Sequence, residues 1–259
     1  MADDALLRED DGRGVTTLTL NRPQAFNALD EALLEALQRQ IDALAGDGQL
    51  RAVVITASGR AFCAGHDLKQ MRSEPSLAYY QSLFARCSEL MMSLQRLPVP
   101  VIAKVQGLAT AAGCQLVAQC DLAVAARTAR FAVSGVNLGL FCATPSVALS
   151  RNLPRKAAFE MLATGSFITA DQALDKGLIN RVAEPEDLDA ALEELLGSIL
   201  AKPRLALALG KQLFYRQLEA GMGGAYEDAA QTMACNMMDA SALEGVQAFL
   251  EKRPPAWPS

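Results

Sequence analysis

The chain has 259 residues, a length typical of one large domain or of a domain with a small appendage. Hydrophobic residues make up 51% and charged residues 20%, which excludes wholesale disorder. A net charge of −5, without clustered Lys and Arg, argues against nucleic acid as a partner. The six cysteines show no CxxC spacing and there is only one histidine, so we expect no metal site and reduced, mostly buried thiols.

The first residues, 1–5, are acidic and contain no apolar run. They predict neither a secretory signal nor an Arg-rich transit peptide, so we expect a cytoplasmic location. Residues 131–150 carry no charge, but they include glycines, a proline and hydroxyl side chains. This composition favours a buried active-site wall over a membrane helix, and we expect no membrane partner.

The predicted elements alternate between strands and helices. Alternation of apolar and polar residues at 15–20 predicts a half-buried strand, and a helix follows from Asp30 to Gly46. Continuous apolar runs predict strands covered on both faces at 52–56, 99–103 and 122–126. Helices are predicted at 74–96, at 111–120, from Pro154 to Gly165, and from a capping box at Thr169 to Gly177. The segment 203–252 is predicted to be helical throughout, and its last helix is predicted to begin with a capping box at Ser241. The pattern predicts an α/β core at 1–200 and a C-terminal helical region at 201–259.

Two loops that follow predicted strands are rich in small residues. Residues 58–68 follow the strand at 52–56, and residues 106–114 follow the strand at 99–103 and lead into a helix. Free backbone N–H groups at the start of that helix, together with its dipole, favour an anion or oxyanion site. Tight packing of the helix on a sheet would require the same small residues, so the pattern alone leaves both interpretations open.

Five segments occur in the order seen in one known family. They are N-R-P-x-x-x-N-A-L at 21–29, A-F-x-A-G-x-D-L at 61–68, P-x-P-V-I-A with G-x-A-x-A-x-G (the family pattern has glycine in place of Ala111) and C-D between 98 and 121, A-x-x-A-x-x-x-G-L at 170–178, and F-L-E-K-R-P-P at 249–255. From about residue 13 onward the chain resembles the crotonase (enoyl-CoA hydratase/isomerase) superfamily, most closely its enoyl-CoA hydratase domain-containing protein 3 subgroup. The resemblance implies a crotonase-type spiral of β-β-α turns with a C-terminal helical trimerisation region.

The resemblance also implies a function in acyl-CoA metabolism, with an acyl-CoA thioester as the partner and no cofactor beyond the coenzyme A of the substrate. The thioester carbonyl is expected between the backbone N–H groups of His66 and Ala112. The expected CoA- and substrate-binding residues are Ala25, Ala64, Asp67, Leu68, Leu108, Leu140, Phe141, Cys142, Phe249 and Lys252. A homotrimer or hexamer is expected, with apolar residues of the helical region at the interface: Leu205, Leu209, Leu213, Phe214, Met233 and Met237.

Two positions depart from the hydratases of this family. Gln115 and Gly135 align with the two glutamates that add water to the double bond, and neither can transfer a proton near neutral pH. We therefore expect weak or altered hydratase activity; the alternative is a catalytically silent acyl-CoA-binding protein. RNA binding is disfavoured by the net charge, and a serine protease triad is disfavoured because His66 lies in the thioester loop. The His66 side chain either transfers protons or fills space, and Cys142 is either a nucleophile or an apolar buried thiol.

Overall fold

The computed structural model describes residues 5–73 and 75–257. The chain divides into two compact units, with the division between Leu195 and Leu196. Assignment of 1–200 and 201–259 as separate functional regions stays a prediction.

The first unit contains a six-stranded sheet built from the apolar runs of the sequence. Its strands are β1 (Leu6–Asp10), β2 (Val15–Leu20), β3 (Ala52–Ala57), β5 (Val101–Val105), β7 (Leu122–Ala126) and β10 (Arg181–Ala183), and this is also their order across the sheet. Only the β1–β2 pair is antiparallel. The central strands are buried, as uninterrupted apolar runs require of strands with both faces covered.

A second, four-stranded sheet uses strands of only two or three residues. These are β4 (Ala61–Cys63), β6 (Leu108–Thr110), β8 (Arg130–Ala132) and β9 (Ile168–Thr169), again in spatial order. The pairs β4–β6 and β6–β8 are parallel. In each of the pairs β3–β4, β5–β6 and β7–β8, the first strand thus lies in the large sheet and the second in the small one. The carboxyl ends of β4, β6 and β8 therefore lie side by side, and the loops that leave them meet at one edge.

Helices follow the strand pairs. Their bounds are α1 (Glu31–Ala45), α2 (Leu68–Ser73), α3 (Leu77–Arg96), α4 (Ala112–Gln119), α5 (Ala143–Asn152), α6 (Arg155–Thr164), α7 (Ala170–Asp175) and α8 (Leu188–Leu200). Local signals set several ends: the Asp30 carboxylate accepts from the N–H of Leu33 at 2.8 Å, and the predicted capping box of Thr169 and Gln172 is confirmed. Gly165 ends α6 in the left-handed conformation.

Several predicted bounds need correction. The helix predicted at 74–96 begins at Leu77, because the Ser76 hydroxyl caps it by accepting from Tyr79 N–H at 3.2 Å; Glu74 lies outside the described residues. The strand predicted at 99–103 is 101–105. Pro154 occupies the N-cap of α6 rather than its first turn.

The second unit is helical, but its helices are interrupted. They are α9 (Arg204–Leu218), α10 (Met222–Met237) and α11 (Ala240–Leu250), so the prediction of continuous helix over 203–252 is wrong at 219–221 and 238–239. The capping box predicted at Ser241 is also wrong: Asp239 caps α11, accepting from Ser241 N–H at 2.9 Å. Among the described residues, no helix of either unit is long and apolar enough to cross a membrane.

Candidate active site

A cavity of about 250 Å³ lies where the loops after β4, β6 and β8 meet. Each loop supplies part of its wall, and side chains of α2, α3 and α5 complete it. Its lining residues are Ala64, His66, Leu68, Met71, Phe84, Ala111, Ala112, Ser134, Gly135, Leu138, Leu140, Phe141, Cys142, Ala143, Thr144 and Pro145. The uncharged stretch at 131–150 thus supplies much of the wall, as its composition predicts.

The loop after β4 is held by the chain segment that precedes α1. Leu29 N–H donates to Gly65 O at 2.8 Å, and Asp67 N–H donates to Leu29 O at 3.1 Å, so that Leu29 and His66 form a parallel bridge. Ala64 N–H donates to Phe26 O at 3.0 Å. These bonds hold the backbone on either side of His66 and fix its path through that residue.

The Asn27 side chain fixes the segment that precedes α1. It is fully buried with φ 54°; its amide donates to Ser58 O at 2.9 Å and Ala61 O at 2.7 Å, and it accepts from Arg22 N–H at 2.7 Å. Asparagine suits this position because it tolerates the left-handed region. The second asparagine of the N-R-P-x-x-x-N-A-L motif is therefore a structural brace for the loop.

Asp67 belongs to the same brace. Its carboxylate lies 3.3 Å from Arg22 Nη2, which also lies 3.0 Å from Asp30. Burial by itself would raise the pKa of Asp67, but the hydrogen bonds from Gln70 N–H and the Arg22 guanidinium hold that pKa below its ordinary value. Because the carboxylate is engaged in this way, Asp67 supports the loop and does not line the cavity.

The loop after β6 turns through a strained residue. Ala111 has φ 51° and ψ −121°, an unusual conformation for a residue with a Cβ, and Ala112 begins α4 immediately after it. A Cβ on Gly65 would lie 2.9 Å from Ala111 Cβ and 3.3 Å from Ala112 N, so the two loops touch where glycine permits it. Within the described chain, the N–H groups of His66 and Ala112 donate to no other residue. Two backbone donors without partners therefore lie on neighbouring loops of the cavity.

The His66 ring is buried against an aromatic side chain. Its centroid lies 5.5 Å from that of Phe84, in an edge-to-face arrangement. Both ring nitrogens are closed off from solvent and have no hydrogen-bond partner in the described protein. Burial lowers the pKa of His66 to about 4, and the nearby Leu29 backbone opposes this shift only in part. The imidazole is therefore neutral near neutral pH.

The loop after β8 closes tightly on itself at Gly135. Gly135 N–H donates to Cys142 Sγ at 3.3 Å, and Leu140 N–H donates to Gly135 O at 3.0 Å. A Cβ at Gly135 would lie 2.5 Å from Leu140 O and 2.7 Å from Cys142 Sγ. Glycine is thus required here by close approach of the chain. Burial raises the pKa of the Cys142 thiol above its ordinary value, which disfavours the nucleophilic thiolate.

Gln115 does not reach the cavity. It lies on α4, is only 4% exposed, and its side-chain oxygen is buried without a partner among the described residues. The cavity lining contains no Asp, Glu, Lys or Arg, and its only titratable side chains are His66 and Cys142. In the described part of the chain, no three His, Cys, Asp or Glu side chains are grouped as in a metal site.

The structure brings together part of the predicted site. The predicted residues that line the cavity are Ala64, His66, Leu68, Ala112, Gly135, Leu140, Phe141 and Cys142. Ala25 is half-buried in a short 3₁₀ turn, and Leu108 lies half-buried in β6. Phe249 and Lys252 belong to the second unit, where Phe249 is 82% exposed. Sequence reasoning missed Met71 and Phe84, whose helical spacing is equally typical of core residues.

Comparison with known proteins agrees with this fold. A family model for enoyl-CoA hydratase/isomerase matches residues 10–259. The crystal structure of an enoyl-CoA hydratase from Mycobacterium smegmatis is 65% identical, with a TM-score of 0.97, and the match covers 98% of this chain and 99% of that one. The chain therefore belongs to the enoyl-CoA hydratase/isomerase family, whose members act in acyl-CoA metabolism.

Two further relatives support the predicted subgroup. The mitochondrial enoyl-CoA hydratase domain-containing protein 3 of Xenopus laevis is 45% identical over 244 residues, 94% of this chain and 83% of that protein. The crystal structure of human enoyl-CoA hydratase domain-containing protein 3 is 43% identical, with a TM-score of 0.94, covering 98% of this chain and 100% of that one. The crotonase-type fold is thereby confirmed, as is the predicted enzyme family.

The expected cytoplasmic location needs correction. The related proteins of Xenopus laevis, rat, mouse, human and zebrafish are all named as mitochondrial. The prediction rested only on the acidic composition of residues 1–5, and the named location of the relatives overturns it.

Proposed function

We propose that this protein binds acyl-CoA thioesters, with the thioester carbonyl oxygen accepting hydrogen bonds from the backbone N–H groups of His66 and Ala112. Support comes from the two unpartnered donors on touching loops, one of them at the start of α4. The positive end of the helix dipole adds to the attraction for a developing oxyanion. In enzymes of known mechanism, each such donor contributes about 10²–10³ in rate.

The observation that carries the proposed activity is the absence of a carboxylate from the residues that line the cavity. Hydration of an enoyl-CoA needs one group to activate water and another to protonate the α-carbon, and each contributes about 10²–10⁴. Gln115 lies outside the cavity lining, and Gly135 has no side chain. Bound enoyl-CoA is therefore polarised efficiently but hydrated slowly.

The lining also defines the acyl group. It is apolar apart from His66, Ser134, Cys142 and Thr144, and the Ser134 hydroxyl is already paired with that of Thr110 at 2.9 Å. No cationic side chain in this lining is available to neutralise a carboxylate on the acyl chain. Uncharged acyl groups are the substrate class. The coenzyme A moiety contacts the loops around Ala25, Ala64 and Leu68, as the family resemblance implies, and no further cofactor takes part. The resemblance also implies that Phe249 and Lys252 contact the coenzyme A bound by a neighbouring subunit.

Titration calorimetry with butyryl-CoA and a crotonyl-CoA hydration assay test the proposal together. We expect wild-type binding with hydration far slower than in hydratases that retain both glutamates. The Ala112→Pro variant removes one donor and should bind butyryl-CoA more weakly, whereas Ala112→Gly keeps the N–H and should bind nearly as wild type. Circular dichroism establishes that both variants fold. Equal binding by two folded variants, or no binding by wild type, would refute the carbonyl site.

A catalytically silent acyl-CoA-binding protein is the second candidate, and the same lack of carboxylates favours it. Single-turnover mixing of excess protein with crotonyl-CoA separates the two. Conversion of bound crotonyl-CoA above the buffer rate identifies a slow enzyme. Stoichiometric binding with unchanged crotonyl-CoA after hours identifies a binding protein.

We also propose assembly as a homotrimer or hexamer through the second unit. Helices α9 and α10 contain no buried residue, although many of their side chains are apolar. Leu205, Phe214, Met233 and Met237 are all exposed in the single chain. Light scattering at micromolar concentration should give three or six times the chain mass of 27.6 kDa. A stable monomer would contradict the assembly.

A further inference from the structure

The His66 imidazole is a polar group without a protein partner in an apolar cavity. Its two ring nitrogens are buried and unpaired among the described residues, while the ring borders the cavity and is held edge-to-face by Phe84. Leaving a buried polar group unsatisfied destabilises the folded chain. A side chain kept at that cost, in the cavity that receives the reacting group, is a candidate for a chemical role.

The covalent structure of the residue fixes what the ring can reach. In the proposed function, the backbone N–H of His66 binds the thioester oxygen, and the imidazole is only a few covalent bonds from that N–H. The α-carbon of the acyl group is two bonds from the same oxygen. The ring is therefore tethered beside the α-carbon. A chemical role at this carbon requires rotation of the ring about its Cβ–Cγ bond, which would turn one of the buried nitrogens toward the bound acyl chain.

Resting on the proposed function, we propose that the His66 side chain is the catalytic base that exchanges protons at the α-carbon of bound acyl-CoA. The α C–H bond breaks, its proton goes to the unprotonated ring nitrogen, and its electron pair forms the C=C bond of an enolate. The thioester oxygen takes the negative charge and is stabilised by the N–H groups of His66 and Ala112. The imidazolium exchanges its proton with solvent water and returns a proton to the α-carbon, which restores the acyl-CoA, so the step needs no oxidant or second substrate.

The surroundings of the ring favour its neutral, basic form. Asp67 is the nearest carboxylate along the chain, but it is engaged by Arg22 and by the N–H groups of Lys69 and Gln70. On α3, Phe84 separates the ring from Tyr80. Among the cavity-lining residues from α2, α3, α4 and the loop at 134–145, Cys142 is the only other titratable group. Two candidate bases therefore exist, and they differ in how they respond to pH.

Proton exchange of butyryl-CoA in D₂O, followed by NMR, tests the assignment. We expect wild type to replace α-protons with deuterium, and His66→Phe, which keeps both the backbone donor and the contact with Phe84, to exchange at least about 100-fold more slowly. Calorimetry should give a butyryl-CoA Kd within about threefold of wild type for this variant. In His66→Ala, added 4-methylimidazole should restore part of the exchange, a result that a space-filling role would not produce.

The pH profile distinguishes His66 from Cys142. A neutral imidazole is fully available above about pH 6, so exchange should be constant from pH 6 to 8. A Cys142 thiolate would instead give a rate that rises about tenfold per pH unit, because its thiol titrates above this range. Three results would each overturn the His66 assignment: an exchange rate that rises with pH, exchange in His66→Phe at the wild-type rate, or a wild-type protein that binds butyryl-CoA without exchanging its α-protons. Absence of butyryl-CoA binding would instead show that the proposed function itself has failed.

Discussion

Gly135 should not accept even a methyl group without a loss of stability. A Cβ at this position would lie 2.5 Å from the backbone oxygen of Leu140 and 2.7 Å from Cys142 Sγ. Neither atom can withdraw easily, because Leu140 N–H is bonded to Gly135 O and Cys142 Sγ accepts from Gly135 N–H. Overpacking of this kind costs about 1–3 kcal/mol, and we expect Gly135→Ala to lower the free energy of unfolding by that amount.

Urea denaturation of the wild type and of two matched glycine variants measures the effect. Gly46 belongs to the same unit and has an ordinary φ of −91°, and a methyl group added there would meet no atom within 4 Å. Gly46→Ala should therefore change stability by less than about 1 kcal/mol. Adding Cys142→Ala to Gly135→Ala removes one of the two close contacts. The double variant should therefore be more stable than the sum of the single effects predicts.

This expectation bears directly on restoring hydratase activity. Placing glutamates at 115 and 135 is the obvious repair from sequence, but Gly135→Glu would first have to displace Leu140, and Gln115→Glu would bury a carboxylate outside the cavity lining. We expect the double glutamate variant to be destabilised and to hydrate crotonyl-CoA no faster than wild type. If Gly135→Ala is within about 0.5 kcal/mol of wild type at an unchanged m-value, the loop yields easily and the steric argument is wrong.

Three further outcomes are expected. The pKa of His66 is about 4 in the folded chain against 6.5 ordinarily, so the unfolded chain binds this proton first as the pH falls. About 3 kcal/mol of the free energy of unfolding is therefore present above pH 6.5 and is lost as pH falls toward 4. The stability difference between wild type and His66→Phe, measured by denaturation across this window, should change accordingly. Asn27→Ala removes three hydrogen bonds to backbone groups, of which only Ala61 O keeps another side-chain donor, Gln106, and the change should cost about 3 kcal/mol in the same assay, whereas a cost below about 1 kcal/mol would show that water replaces the amide. Succinyl-CoA should bind at least about tenfold more weakly than butyryl-CoA by calorimetry, since its carboxylate finds no cation in the cavity lining, and equal affinities would place the acyl chain elsewhere.

The sequence predicted the four inner strands of the large sheet, three of which are uninterrupted apolar runs such as Ala52–Ala57, but it did not predict the edge strands β1 and β10. It did not predict β4 and β6, since strands of three residues are too short for periodicity to reveal. The loops could be recognised by motif, yet the reason for each small residue depends on long-range contact. Gly65 meets Ala111 and Gly135 meets Leu140 only after folding.

Helix starts in the second unit illustrate a different limit. Both Asp239 and Ser241 are good capping residues, and a capping box beginning at Ser241 is a valid pattern. The structure begins the helix at Asp239 instead, whose carboxylate accepts from Ser241 N–H. Local propensity favours either start, so the packing of α11 decides between them. Cavity residues on α3 pose the same difficulty, because Phe84 looks like core until the loops around it are known.

The two parts of the proposed chemistry depend on the chain in different ways. Binding of the thioester oxygen uses backbone N–H groups, which any residue except proline supplies, so Ala112 can serve as well as glycine provided that Ala111 holds its strained conformation. Proton transfer uses side chains, and the family resemblance implies that the two glutamates used for it are replaced here by Gln115 and Gly135. A family member can therefore lose the glutamates and still retain the carbonyl site. In this chain His66 lines the cavity and supplies both a backbone donor and, in the proposal, the base. The proposed proton transfer therefore depends on a residue that thioester binding already requires.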